Sequence, residues 1–175
     1  EYKRGIYSVI DNKRGRIFSY DDNGNLLYVF GDRGNQKGTF YNPVAVEYFG
    51  NKILVLDSKT GNITIFEPTA YSQSIIQAIL SYGNGRYKKS KNNWKQVLKY
   101  DLNYSLAYSG IGKNLMRERN FEEALSRFKL GNDRVNYSKA LEEYRRIIIE
   151  RYLGEIIFVL FISILLFYII RKLNL

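Results

Sequence analysis

The amino-acid sequence predicts a multidomain chain, β-rich at first and helical afterwards, that ends in one transmembrane helix. Three observations predict it. Short β-type runs broken by Gly, Asn and Asp turns extend from Gly5 to about Pro68. A 34-residue helical repeat is then written twice, from Tyr71 to Tyr104 and from Ser105 to Ser138. An apolar run from Leu153 to Ile170 follows almost at once. The expected divisions are 1–68, 69–144 and 145–175.

In the first division the expected strands are Gly5–Ile10, Arg16–Tyr20, Leu26–Phe30, Val44–Tyr48, Lys52–Asp57 and Asn62–Glu67. Asn23-Gly24 lies between two of them and predicts a type I′ hairpin, whose two central positions both need positive φ. The division also repeats. Residues 9–17 (Val9, Ile10, Asp11 … Gly15, Arg16, Ile17) align with residues 55–63 (Val55, Leu56, Asp57 … Gly61, Asn62, Ile63), 46 residues later. A β-repeat of 40–50 residues is the period of a propeller blade, so the expectation is a partial β-propeller of fewer than two blades.

The run Tyr28-Val29-Phe30-Gly31, then Gly34, Gly38-Thr39-Phe40, Asn42 to Val46, Ile53 to Ser58 and Ile63 to Phe66 resembles NHL-type propeller repeats. The resemblance covers roughly Gly5 to Pro68. NHL propellers close with about six blades, and a lone blade leaves its faces and edges exposed. The chain is therefore expected to be a fragment, with further blades in sequence beyond it.

In the second division helices are expected over Tyr71–Ser81, Tyr87–Tyr100, Ser105–Arg117, Phe121–Leu130 and from Ser138 onward. Each 34-residue copy opens its second helix with an aromatic (Tyr87, Phe121), then places a small residue (Ser90, Ala124) and a second aromatic (Trp94, Phe128). Thirty-four residues is the tetratricopeptide (TPR) period, so an α-helical TPR stack is expected, closed by a capping helix. Ala107, Ile111, Gly112 and Leu115 form the first-helix stripe of the second copy; Phe121, Ala124, Leu125 and Phe128 form its partner.

The apolar run has one charge, Glu155, near its start, and no polar face. Its eighteen residues reach about 27 Å as a helix, close to the hydrocarbon thickness of a bilayer. Tyr152 and Tyr168 are placed as interfacial aromatics, and Arg151, Arg171 and Lys172 as flanking cations. Arg145, Arg146 and Arg151 compete with Arg171 and Lys172, which leaves the orientation open.

Composition narrows the chemistry. The 175 residues include no Cys and no His, which removes thiol nucleophiles, the usual neutral-pH general base and most zinc sites. A net charge of +10 points to neutral or anionic partners. Two motifs fail on inspection. Gly110-Ile111-Gly112-Lys113 looks like a phosphate loop, but Ala107 and Asn114 stand where that loop needs Gly and Ser or Thr. Its glycines are better read as helix-packing positions. Asp21 to Asn25 hints at a calcium loop, but Leu26 and Asp32 occupy the positions that need Gly and Glu, so a hairpin turn is favoured. Arg86, Lys88, Lys89, Lys91, Lys95 and Lys99 make one helix strongly basic, read as a solvated face or as a contact for anionic lipid or wall polymer.

The order of modules, with Trp94, Val97 and Leu98, then Asn103 to Lys113, Glu123-Ala124-Leu125, Phe128 and Tyr144-Arg145, resembles bacterial membrane proteins of clostridial type. In these an exported NHL propeller is followed by TPR helices and a transmembrane segment, often leading into a Yip-type membrane domain. The resemblance implies an extracellular sensory or scaffolding arm on an integral membrane protein, with a link to nutrient transport.

The function expected is therefore a non-enzymatic, membrane-anchored binding or scaffolding module at the bacterial cell surface. Its partners would be a protein or peptide, membrane lipid through 153–170, and anionic lipid or wall polymer; no nucleic acid, cofactor or metal is expected. Lys113, Asn114 and Arg117, placed off the core stripe, are the candidate partner-binding residues. The alternative is an accessory subunit of a nutrient or ABC-type transport complex. A propeller-type lactonase would need clustered carboxylates and commonly His, and is disfavoured.

Overall fold

The computed structural model describes residues 2–3 and 5–173. Among the described residues seven strands come first: β1 (Tyr2–Lys3), β2 (Ile6–Asp11), β3 (Arg16–Asp21), β4 (Leu26–Phe30), β5 (Pro43–Phe49), β6 (Lys52–Asp57) and β7 (Asn62–Phe66). Five helices follow: α1 (Ala70–Gly83), α2 (Tyr87–Tyr100), α3 (Ser105–Arg117), α4 (Phe121–Leu130) and α5 (Arg134–Leu173). The strands form two antiparallel sheets in sequence order, β1-β2-β3-β4 and β5-β6-β7.

Alternation builds both sheets, because side chains two apart share a face. Register sets Ile10 opposite Ile17 and Ile17 opposite Phe30; in the second sheet Tyr48 lies opposite Ile53 and Ile53 opposite Phe66. These faces meet in one buried cluster around Ile17, Phe40, Ile53 and Val55. The β3–β4 hairpin differs from the expected type I′ turn. Only Gly24 has positive φ (77°), Gly24 N–H donates to Asp21 O at 3.0 Å, and the strands shift register between Ser19 and Tyr20. This is a three-residue loop, a turn followed by a left-handed glycine at a bulge. Asp21 accounts for the choice: its carboxylate accepts the backbone N–H groups of Asn23 and Asn25, each at 2.9 Å, so its ligating oxygens serve the turn.

Each helix packs on the next in the chain. Thr69 and Asn120 cap α1 and α4 through side-chain oxygens that accept N–H groups of the first turn. The glycines of the rejected phosphate loop are packing positions: a Cβ on Gly110 would sit 2.2 Å from Trp94 Nε1, and one on Gly112 2.6 Å from the Phe128 ring. Helix α5 begins at Arg134, four residues before the expected start. Asp133 explains the shift, since its carboxylate accepts Asn136 N–H at 3.0 Å and holds the first turn.

The expected fold class, a partial NHL-type propeller followed by a TPR stack, is corrected by this architecture. Two open sheets of four and three strands do not close around an axis. The helices do not form an independent stack either. Ile6 and Leu27 from the first sheet share one core with Ile75, Trp94, Ile111 and Phe128 from the helices. Among the described residues the first sheet and the helices bury their apolar surface by packing sheet against helix.

Candidate functional site

Two features stand out, a membrane-entering helix and an aromatic cleft. Helix α5 runs 40 residues without a break, about 60 Å at 1.5 Å per residue. Its first turns pack on α4, with Ala140 fully buried. From Ile148 onward its large apolar side chains are all exposed. Among the described residues this is the one helix long and apolar enough to cross a membrane. Arg146 pairs with Glu143 and Glu150 one turn away on either side, so the charges before the span partly neutralise each other.

The cleft lies where the two sheets meet α1 and encloses about 390 Å³. Tyr28, Phe30, Tyr48, Phe66, Tyr71 and Ile76 supply its apolar wall. Phe30 and Phe66 bring their rings to 4.7 Å between centroids, tilted by 55°. Tyr48 is tied at its hydroxyl to Ser8 Oγ at 2.7 Å. Burial pushes the Tyr28 hydroxyl up to about 12, with neighbouring Tyr48 adding to the rise and a hydrogen bond from Ser19 opposing it. Tyr28 is therefore a neutral phenol at any physiological pH. Glu67 and Gln77 stand at the polar rim, and Lys52 Nζ holds the Glu67 carboxylate at 2.6 Å. A pocket of this size and lining accepts one small apolar or aromatic group.

Of the residues expected to bind a partner, Lys113 and Arg117 lie one turn apart on the same side of α3, while Asn114 is buried. Lys113 is half-exposed and borders a hollow between α3, the start of α5 and the Asn23–Leu26 hairpin. Arg117, one turn further along α3, is exposed, with its Nε 3.5 Å from Tyr82 Oη and its guanidinium 5.9 Å from the Tyr87 ring centre. Asn114, expected off the core stripe, is instead fully buried. Helix α3 lies between α2 and α4 and buries two faces, one toward Trp94 and Ser90 and one toward Phe128. The Asn114 amide donates to Ser90 Oγ at 3.1 Å and to Gly110 O at 2.8 Å.

Lys91 of the basic helix pairs with Glu118 across the α2–α3 seam. No group of three or more acidic side chains that could hold a metal ion occurs among the described residues. Sequence reasoning missed the cleft. Its signal was present in Tyr28 and Phe30 at i and i+2, and in Phe66 and Tyr71 either side of the Pro68 strand-to-helix junction.

No protein-family model matches the chain, and no curated protein shows significant similarity to it. The resemblance to clostridial-type membrane proteins rests on the residues quoted for it.

Proposed function

We propose that the chain is a non-enzymatic, membrane-anchored binding module, with α5 as anchor and connector and the aromatic cleft as the place where a partner inserts a side chain. The observation that carries this reading is the continuity of α5. One helix is packed into the folded body at Ala140 and wholly exposed and apolar by Ile156. A helix without a joint transmits orientation from the body to the bilayer, which suits a display or scaffolding arm. The cleft supports a protein or peptide partner because aromatic walls with a polar rim form the kind of pocket that anchors a single apolar side chain. A bacterial cell-surface location, with the folded body outside, completes the proposal.

Membrane fractionation tests it. The full chain is expected in the membrane pellet after alkaline carbonate washing. The double substitution Phe161→Lys and Leu165→Lys, at about 3 kcal/mol per charge near the bilayer centre, should shift it to the soluble fraction. A parent chain that washes off with carbonate would sink the anchor. Protease added to intact cells should cut the body; protection would place the body inside. Co-purification with permease subunits would instead favour an accessory role in a transport complex.

A further inference from the structure

The two sheets carry one sequence repeat but bury opposite faces of it. At the 46-residue offset Val9 corresponds to Val55, Ile10 to Leu56 and Ile17 to Ile63. Register places Ile10, Ile17 and Phe30 on one face of the first sheet, here the front, and Val9, Phe18 and Val29 on its back. By the same repeat positions, the second sheet carries Leu56, Ile63 and Ile65 on its front and Val46 and Val55 on its back.

The packing is front to back. Ile17 from the front of the first sheet and Val55 from the back of the second are both 0% exposed in one cluster. What remains uncovered is the complementary pair. On the front of the second sheet Ile63 is 60% and Ile65 58% exposed; on the back of the first Val9 is 48% and Val29 41% exposed. Tyr7 and Tyr20 stack beside Val9 at 5.4 Å between ring centres, extending that back face with aromatic surface.

We infer that the uncovered front is an interaction surface for a second copy of this chain, which presents the back of its own first sheet. The contact repeats between chains the packing that already exists within one. Position for position, the front that needs a cover matches a front that has one, and the cover it has is the back of a sheet. The two surfaces differ, so the association is heterologous, and each added copy leaves one front and one back open unless the series closes into a ring. Contiguous β-branched and aromatic side chains on open sheets are what an interface of this kind buries.

Sedimentation of the full chain in mild detergent tests this independently of the cleft and the anchor. The expected result is a series of masses that grows with protein concentration. Ile63→Lys on the front and Val9→Lys on the back should each raise the half-association concentration at least about tenfold, the scale of one interface residue worth about 1.4 kcal/mol. Mixing the two variants should give heterodimers and nothing larger, since only one intact front and one intact back can meet. Should a Lys variant lose the parent's circular dichroism, Ile63→Thr and Val9→Thr serve in its place. A parent that stays one chain per micelle overturns the inference. So do variants that associate like the parent, which would assign assembly to the span, and a mixture that forms no heterodimer.

Discussion

The helical body and the sheet pair are held by different physics, although they share one core. The helices close by contact. Gly110 and Gly112 bring α3 against the Trp94 and Phe128 rings, with no room for a methyl group on either side. The sheets close by polar turns. The Asp57 carboxylate accepts N–H groups from Tyr41 (2.6 Å), Asn42 (3.3 Å), Lys59 (2.9 Å) and Thr60 (3.3 Å), tying β6 to the segment that enters β5. Tyr104 joins the two regions, donating its hydroxyl to Leu27 O at 2.9 Å. The helical body should therefore fail through lost packing, and the sheet pair through lost acceptors.

The largest effect is expected in the helices. Phe128 is fully buried against Gly112, and Phe128→Ala leaves a cavity that α3 and α4 cannot collapse around. A loss of about 3–5 kcal/mol is expected in urea unfolding. A loss under 1 kcal/mol would mean that the seam is looser than the ring contact indicates.

Next comes Asp57. Asp57→Ala removes the acceptor of four N–H groups at a buried site and should cost about 2–4 kcal/mol. Its repeat counterpart Asp11 is more exposed and pairs mainly with Arg14 at 2.8 Å, so Asp11→Ala should cost little. Burial pushes the Asp57 carboxyl up, but the backbone donors together hold it below its ordinary value. The folded value being the lower one, its contribution is complete above about pH 4 and is lost as pH falls through the folded value. Acid should therefore loosen the sheets while leaving the glycine–aromatic seams intact. Near-ultraviolet circular dichroism of the Trp94 environment, followed beside amide exchange in β6, would separate the two. Simultaneous loss at both would contradict the comparison.

Local pattern was legible almost throughout. Lys52–Asp57, Leu26–Phe30 and helices α2, α3 and α4 have the bounds that periodicity predicts. Each has a dominant period and clear turn residues at its ends, and neither depends on the rest of the molecule. The architecture was not legible, because repeat spacing reports the unit and says nothing of closure. Ile17 and Ile63 occupy the same place in the repeat, yet one is buried and the other open. That difference lies in what each sheet meets, which no local pattern encodes. The candidate residues suffered similarly. Asn114 reads as polar and surface-seeking, and only the presence of helices on both sides of α3 places it inside.

The smallest expected effect lies in that seam and asks whether its buried amide–hydroxyl contact contributes to stability. Asn114 donates to Ser90 Oγ and Gly110 O, while its own Oδ1 is buried with no partner. A half-satisfied amide in an otherwise apolar seam specifies register more than it adds stability. Ser90→Ala removes one of the two acceptors and should cost about 1 kcal/mol, since Gly110 O still takes the amide. Asn114→Leu keeps most of the volume and removes the buried, unpaired Oδ1. It should cost less than Asn114→Ala, which adds a cavity to the same loss. In the Asn114→Leu background Ser90→Ala should cost less than it does alone, because the hydroxyl has lost its donor. Urea unfolding of the four chains gives the coupling directly. If the two substitutions prove additive, the amide–hydroxyl contact carries no energy, and the α2–α3 seam rests on the Trp94–Gly110 contact and the Lys91–Glu118 pair.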